Sequence, residues 1–178
     1  MSDNVYLGNP NLKKANTPIE WTEEMMVEFL KCKEDPVYFA KNHVKIVSLD
    51  EGLTQFEPYH FQEKLINNFH SNRFNICKMP RQTGKSTTVV SYLLHYAVFN
   101  DSVNIGILAN KAATARELLG RLQTAYENLP RWMQQGIIAW NKGSLELENG
   151  SKILAASTSA SAVRGMSFNI LFLDEFAF

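Results

Sequence analysis

Cysteine is scarce in this chain. Only Cys32 and Cys77 occur among 178 residues, and they lie far apart. They match no zinc spacing and no disulfide framework, so the plain expectation is a reduced, intracellular protein. An excess of either charge is also missing: 18 Lys and Arg balance 18 Asp and Glu, for a formal net charge of +0. This excludes a strongly basic nucleic-acid coat and an acidic disordered tail. Any contact with nucleic acid has to come from a local patch or a partner. No apolar run approaches the roughly 20 residues of a membrane span; the longest, Val89 to Phe99, is broken by Ser91 and His95. Met1 to Asn11 has no charged-then-apolar signal pattern. There is no internal repeat and no low-complexity tract.

Apolar residues make up 45% of the chain, enough for a real core. The length fits one domain and at most part of a second. Residues 1–20 are polar and rich in Asn and Pro, which predicts a loosely held arm; residues 21–178 form the folded part. Lys13 and Lys14 in the arm could touch phosphate or be simply solvated. Thr22 followed by Glu23 and Glu24 predicts a helix start, with Met25, Met26, Phe29 and Leu30 facing inward. Asp35-Pro36 starts a second helix, and a third runs through Phe61, Leu65, Ile66 and Phe69.

A more regular pattern follows. Phe74 to Met79 reads as a buried strand, and Val90, Leu93, Leu94, Ala97 and Val98 recur at helical spacing. Val103 to Ala109 is a second strand; Ala115, Leu118, Leu119, Leu122 and Tyr126 mark a helix stopped near Pro130. Ser144 to Glu148 and Ser151 to Ala156 flank Asn149-Gly150, a two-residue hairpin signal needing positive φ angles. Ile170 to Leu173 is a last buried strand, ending in Asp174-Glu175. Strands alternating with helices predict an α/β fold, a mainly parallel sheet flanked by helices. Such a sheet would continue beyond Phe178, so a fragment is expected.

Between the first strand and the helix lies Pro80-Arg81-Gln82-Thr83-Gly84-Lys85-Ser86-Thr87. A loop between strand and helix is the setting of a phosphate-binding turn. Its backbone N–H groups and the helix dipole both favour an anion. Gly84 permits close backbone approach, Lys85 would reach the β- and γ-phosphates, and the Ser86 hydroxyl would ligate Mg²⁺. Gln82, Thr83 and Thr87 complete the cradle. The first glycine of the usual pattern is replaced by Met79, so the match is partial. The bland alternative is an ordinary strand–turn–helix with an exposed lysine. Arg81 could stabilise transition-state charge on the γ-phosphate, or pair with a nearby carboxylate.

Asp174-Glu175 ends an apolar strand 89 residues after Lys85. In parallel α/β sheets, ligands bind beyond the carboxyl ends of strands. Asp174 would then hold Mg²⁺ and Glu175 would orient and deprotonate an attacking water. Alone, the pair could equally cap a helix. Upstream, the Gln62 amide suits an adenine edge, and Phe61 or Tyr59 could stack on the base; a helix-surface glutamine beside a core phenylalanine is the simpler reading of those residues. Arg164-Gly165 could reach a neighbouring subunit's nucleotide, or DNA, or form a plain turn. His43, His60, His70 and His95 show no metal spacing, and Trp21, Trp132 and Trp140 read as packing residues. Asn149-Gly150-Ser151 fits a glycosylation sequon but reads as a turn.

Taken together, Phe61-Gln62, Pro80 to Thr87, Ile107 to Lys111, Trp140 to Ser144, Asn149-Gly150-Ser151, Val163-Arg164-Gly165 and Leu173-Asp174-Glu175 resemble the large terminase subunit of T-even-type tailed bacteriophages. The resemblance runs from about Leu7 to Phe178, and a loop without its first glycine is typical of that family. It implies a P-loop NTPase of the additional-strand, catalytic-glutamate type, the ATPase of a DNA-packaging motor, truncated after the Walker B strand. By resemblance, Lys85 and Ser86 bind ATP and Mg²⁺, Asp174 is the Walker B aspartate, Glu175 the catalytic base and Gln62 the adenine-contacting glutamine. Arg81 resembles the in-loop arginine that triggers hydrolysis, with Arg164 a competitor. The implied partners are double-stranded DNA, the portal protein and the small terminase subunit. A homo-oligomeric ring is expected only on the portal, with no membrane, in the cytoplasm of the infected bacterial host. The nuclease domain of the family is absent from this segment, so no DNA cleavage is expected, and the isolated segment should hydrolyse ATP weakly or not at all. Two alternatives share these residues: a superfamily 2-type helicase N-lobe, against which Asp174-Glu175-Phe176-Ala177 argues, and a non-catalytic nucleotide-binding assembly module.

Overall fold

The computed structural model describes residues 4–48, 50–159 and 165–175. Its centre is a five-stranded sheet built from β5 (Asn104–Ala109), β6 (Ile137–Trp140), β7 (Ser144–Leu147), β8 (Lys152–Ser157) and β9 (Ile170–Asp174), in the order β6-β7-β8-β5-β9. β8, β5 and β9 run parallel, whereas β6, β7 and β8 are joined antiparallel. The sheet is therefore mixed rather than mainly parallel. Short connections explain the difference, because a hairpin can only join antiparallel neighbours.

Ala109 is level with Ser157 on one side and with Asp174 on the other. All three parallel strands thus end on one edge. Helix α5 (Ala112–Glu127) returns over β5 and β8, burying Ala115, Leu118, Leu119, Leu122 and Tyr126 at the expected spacing. Helix α4 (Lys85–Phe99) packs against α5 and against two earlier helices, α2 (Pro36–His43) and α3 (His60–Ser71). It is apolar on nearly every side, as a fully surrounded helix must be, and buries Leu93, Leu94, Ala97 and Val98. Each such leucine or valine contributes about 1.5–3 kcal/mol through burial.

Two helix starts follow their capping residues. Thr22 Oγ1 accepts from Met25 N–H at 3.2 Å to open α1 (Glu23–Glu34). Asp35 Oδ1 accepts from Val37 and Tyr38 N–H at 2.8 and 2.9 Å to open α2. The inward face assigned to α1 is different, however. Met26 and Leu30 are exposed, Phe29 packs on Phe99, and Cys32 is the buried residue. A helix on the outside of the body needs to bury only a narrow stripe, and α1 buries the stripe facing α2.

The expected strand from Phe74 to Met79 does not form. The segment is irregular, with Phe74 82% and Ile76 fully exposed. A strand exists only through its partner's hydrogen bonds, and β9 pairs with β5 alone among the described residues. Apolar composition without a neighbouring strand leaves the chain unpaired. The Arg73 guanidinium lies over the Phe74 ring, 5.1 Å from its centroid.

The arm is not loose from residue 4 onward. β1 (Val5–Tyr6) and β2 (Asn9–Lys13) form a hairpin, and Leu12 and Lys13 are buried. Gln134 clamps it, accepting from Lys13 N–H at 3.0 Å and donating to Asn11 C=O at 2.9 Å. Lys13 pairs with Glu148 at 3.3 Å, so this lysine is neither solvated nor free for phosphate. A second hairpin, β3 (Lys45–Ser48) with β4 (Gly52–Gln55), follows α2.

The Asn149-Gly150 turn is one residue longer than expected. Leu147 N–H donates to Ser151 C=O, and Gly150 N–H donates to Leu147 C=O. Only Gly150 has positive φ, at 82°. This is the three-residue loop with a left-handed glycine. The Asn149 side chain is spent on α4 instead, donating to Ala97 and Asn100 C=O.

Candidate active site

The loop before α4 folds around its own residues. Gly84 is the N-cap in the left-handed region, φ 72°, and the Thr83 hydroxyl donates to Pro80 C=O at 3.0 Å. Thr88 N–H and Oγ1 both bond to Gly84 C=O. The N–H groups of Lys85, Ser86 and Thr87 precede this first intrahelical bond, and all three residues line the cleft described next, where a helix N-terminus favours an anion. No acidic residue occupies the first turn of α4.

Residues 80–87, Asp174 and Glu175 line one cleft of about 1000 Å³. Its other walls are Val44 to Val47 at β3, and Glu117, Gly120, Arg121 and Thr124 of α5. Lys85 Nζ lies 3.7 Å from Asp174 Oδ1, and the carboxylate is 8% exposed. The two sequence clusters thus meet at the sheet edge where β5, β8 and β9 end. Glu175 follows on the cleft rim, exposed, with φ 51°; Gln82 in the loop has φ 61°. Left-handed backbone in non-glycine residues costs on the order of 1–3 kcal/mol and tends to collect at functional sites.

The cleft's donor set suits a hard cation. The Ser86 hydroxyl and the Asp174 carboxylate are oxygen ligands of the type Mg²⁺ takes, and among the described residues no His or Cys lines the cleft. Arg81 is exposed on the cleft and makes no ion pair among the described residues. The carboxylate-paired alternative for Arg81 therefore has no partner there. Thr87 also lines the cleft. Nearby, burial pushes the Cys77 thiol up in pKa, with the Lys85 ammonium pulling the other way.

Gln62 sits elsewhere than on the cleft surface. It is 3% exposed, behind the loop. Its Oε1 accepts from Tyr59 N–H at 2.8 Å and its Nε2 donates to Thr83 C=O at 3.2 Å. A Cβ added at Gly84 would collide with Gln62 Nε2. The glutamine thus ties α3 to the loop. Phe61 and Tyr59 stack on each other, rings 5.8 Å apart and 12° from parallel, and neither lines the cleft. Arg164 lies outside the described residues.

Sequence reasoning missed the opposite wall. Lys45, Ile46 and Val47 carry no motif. Glu117 and Arg121, which meet at 2.6 Å, could have been found from their four-residue helical spacing. Only their placement on the cleft needs the fold.

Two comparisons bear on this site. The family described as terminase large subunit, T4-like virus type, N-terminal, matches residues 76–178. The fold is similar to the large terminase of bacteriophage HK97, with TM-score 0.64 and 17% identity. That similarity covers 79% of this chain and 30% of the other, so the chain spans under a third of that protein's length. The family match covers more than half of the chain and includes the Lys85 loop and the Asp174 strand end: the chain belongs to the T4-like large terminase subunit family, in its N-terminal part.

Proposed function

We propose that residues 21–178 are the nucleotide-binding part of a packaging ATPase, with residues 1–20 as an attached arm. In this reading the fold is a P-loop NTPase of the additional-strand, catalytic-glutamate type. It binds ATP with Mg²⁺ and, within the intact protein, hydrolyses it to drive double-stranded DNA into a prohead. The observation that carries the reading is the meeting of Lys85 and Asp174 at 3.7 Å, beside the N-terminus of α4.

The roles follow from chemistry. The α4 N–H groups and residues 82–84 cradle the phosphates, and Lys85 exchanges its Asp174 contact for phosphate oxygens. Ser86 and Asp174 hold the cation. A magnesium ion held by these two oxygen ligands would supply positive charge against the charge developing on the phosphates. Glu175 orients a water toward the γ-phosphorus and accepts its proton, leaving ADP and inorganic phosphate. Arg81 supplies positive charge to the phosphate in the transition state. Gln62 acts through the loop it holds, as a positioning residue.

By family, the partners are double-stranded DNA, the portal protein and the small terminase subunit, with a ring of copies formed on the portal. The compartment is the cytoplasm of the infected bacterium; no helix among the described residues is long and apolar enough to cross a membrane. The nuclease activity belongs to another part of the protein.

The test is Glu175→Gln in the full-length protein. ATP binding should persist while hydrolysis falls at least about 10²-fold, the usual contribution of a general base. Unchanged turnover would remove Glu175 from the chemistry.

A further inference from the structure

Away from the cleft, α1 and α2 bring three different metal-ligating groups to one point. Glu28 and Cys32 stand one turn apart on α1, and His43 is the last residue of α2. His43 Nε2 lies 2.7 Å from Glu28 Oε1, and Cys32 Sγ lies 3.8 Å from the same oxygen. One donor atom from each of the three falls within 4.8 Å of the others. The Tyr38 hydroxyl donates to Glu28 Oε2 at 3.1 Å, which fixes the carboxylate's orientation from outside.

We propose that Glu28, Cys32 and His43 form a binding site for one zinc-like divalent cation. The chemistry of the set favours it. Thiolate, imidazole and carboxylate are the three ligand types zinc accepts, and three protein ligands leave a fourth tetrahedral position for water. Zinc bonds of about 2.0–2.3 Å place tetrahedral donors roughly 3.3–3.6 Å apart. The His43–Glu28 contact has to open slightly and the Cys32–Glu28 contact to close slightly. The charges also balance. A thiolate and a carboxylate neutralise the dication, with His43 neutral and the Cys32 proton released to solvent. This matters where Cys32 is fully buried and the other two side chains are only 13% and 26% exposed. Sequence spacing hides the site, because its ligands come from two helices and include one cysteine.

The site would pin α1 to the end of α2. His43 leads directly into Val44 to Val47, a wall of the cleft. Its role would be structural, holding that wall from behind.

The test is a titration of the metal-stripped 178-residue chain with Co²⁺ under anaerobic conditions. One equivalent should produce thiolate-to-cobalt absorption in the near ultraviolet and the strong visible bands of four-coordinate cobalt. One equivalent of Zn²⁺ should bleach both. Cys32→Ser should abolish the sulfur absorption and Cys77→Ser should retain it. His43→Gln, at a half-buried position, should weaken affinity at least about 10-fold; it decides the matter if Cys32→Ser fails to fold by circular dichroism. Absence of sulfur absorption in the parent chain overturns the proposal. So does its survival in folded Cys32→Ser, its loss in Cys77→Ser, or unchanged affinity in His43→Gln.

Discussion

The Lys85 ammonium faces the Asp174 carboxylate at 3.7 Å, across 89 residues of sequence and from the opposite ends of a helix and a strand. A lysine at a helix N-terminus is unfavourable on its own, since both carry positive charge. The carboxylate offsets that cost here, and polyphosphate would offset it more fully. If Asp174 also holds the cation, Mg²⁺ dependence should run through it. Replacing Mg²⁺ by EDTA should weaken ATP binding at least about 10-fold in the parent chain. Asp174→Asn should bind weakly and be indifferent to Mg²⁺. Calorimetry with and without the metal checks this, and retained Mg²⁺ dependence in the variant would assign the cation to other ligands.

Gln62 and Gly84 are a packing pair. The glutamine holds Thr83 C=O and fills the space where a side chain at residue 84 would go. Gly84→Ala should therefore strain the loop twice, by its φ of 72° and by the clash. The left-handed conformation alone costs on the order of 1 kcal/mol. Gln62→Ala leaves Tyr59 N–H and Thr83 C=O without their partner, a loss of about 1–3 kcal/mol if water does not replace it. Because the amide acts on the loop, Gln62→Ala should weaken ATP and GTP binding by the same factor. A selective loss of ATP would place the amide on the base.

His95 makes stability depend on pH. Burial among Phe39, Tyr92 and Phe99 holds its pKa down to about 4, from 6.5. Its Nε2 lies 2.8 Å from Cys32 C=O, so Nε2–H donates there and Nδ1 is the bare nitrogen. Nδ1 is buried without a partner among the described residues. The unfolded chain takes up this proton near pH 6.5 and the folded chain near 4. Stability should thus fall as pH drops through that window, by on the order of 3 kcal/mol in total. Below about 4.5, loss of Glu28, whose pKa His43 holds down, and of Glu63, held down by Lys41, adds to the decline. Thermal unfolding of His95→Gln should show a flatter slope between pH 6.5 and 4.5. An unchanged slope would assign the titration to another group.

The parts of the fold that the chain announces locally were legible. Thr22 and Asp35 cap helices because their side chains bond their own next N–H groups, a relation visible within four residues. The Gly84-Lys85-Ser86 loop and the Asp174 strand end were readable for the same reason, and their convergence followed from the rule that ligands gather at strand carboxyl ends. What failed depended on distant partners. Phe74 to Met79 has strand composition, but pairing is a property of neighbours. The β1–β2 hairpin is held by Gln134, more than a hundred residues away. Gln62 read by itself as a helix-surface residue, but it is buried, and its bond to Thr83 C=O appears only when α3 meets the loop. The single positive φ at Gly150 was hidden because Asn149 is drawn toward α4.

The most direct test is isothermal titration of the 178-residue chain with Mg·ATP, beside Lys85→Ala. Lys85 is partly exposed and forms no part of the core, so the variant should stay folded. Saturable one-to-one binding in the parent chain, lost in folded Lys85→Ala, is the expected result. Equal binding by both chains, or none by the parent, would contradict the assignment of the cleft.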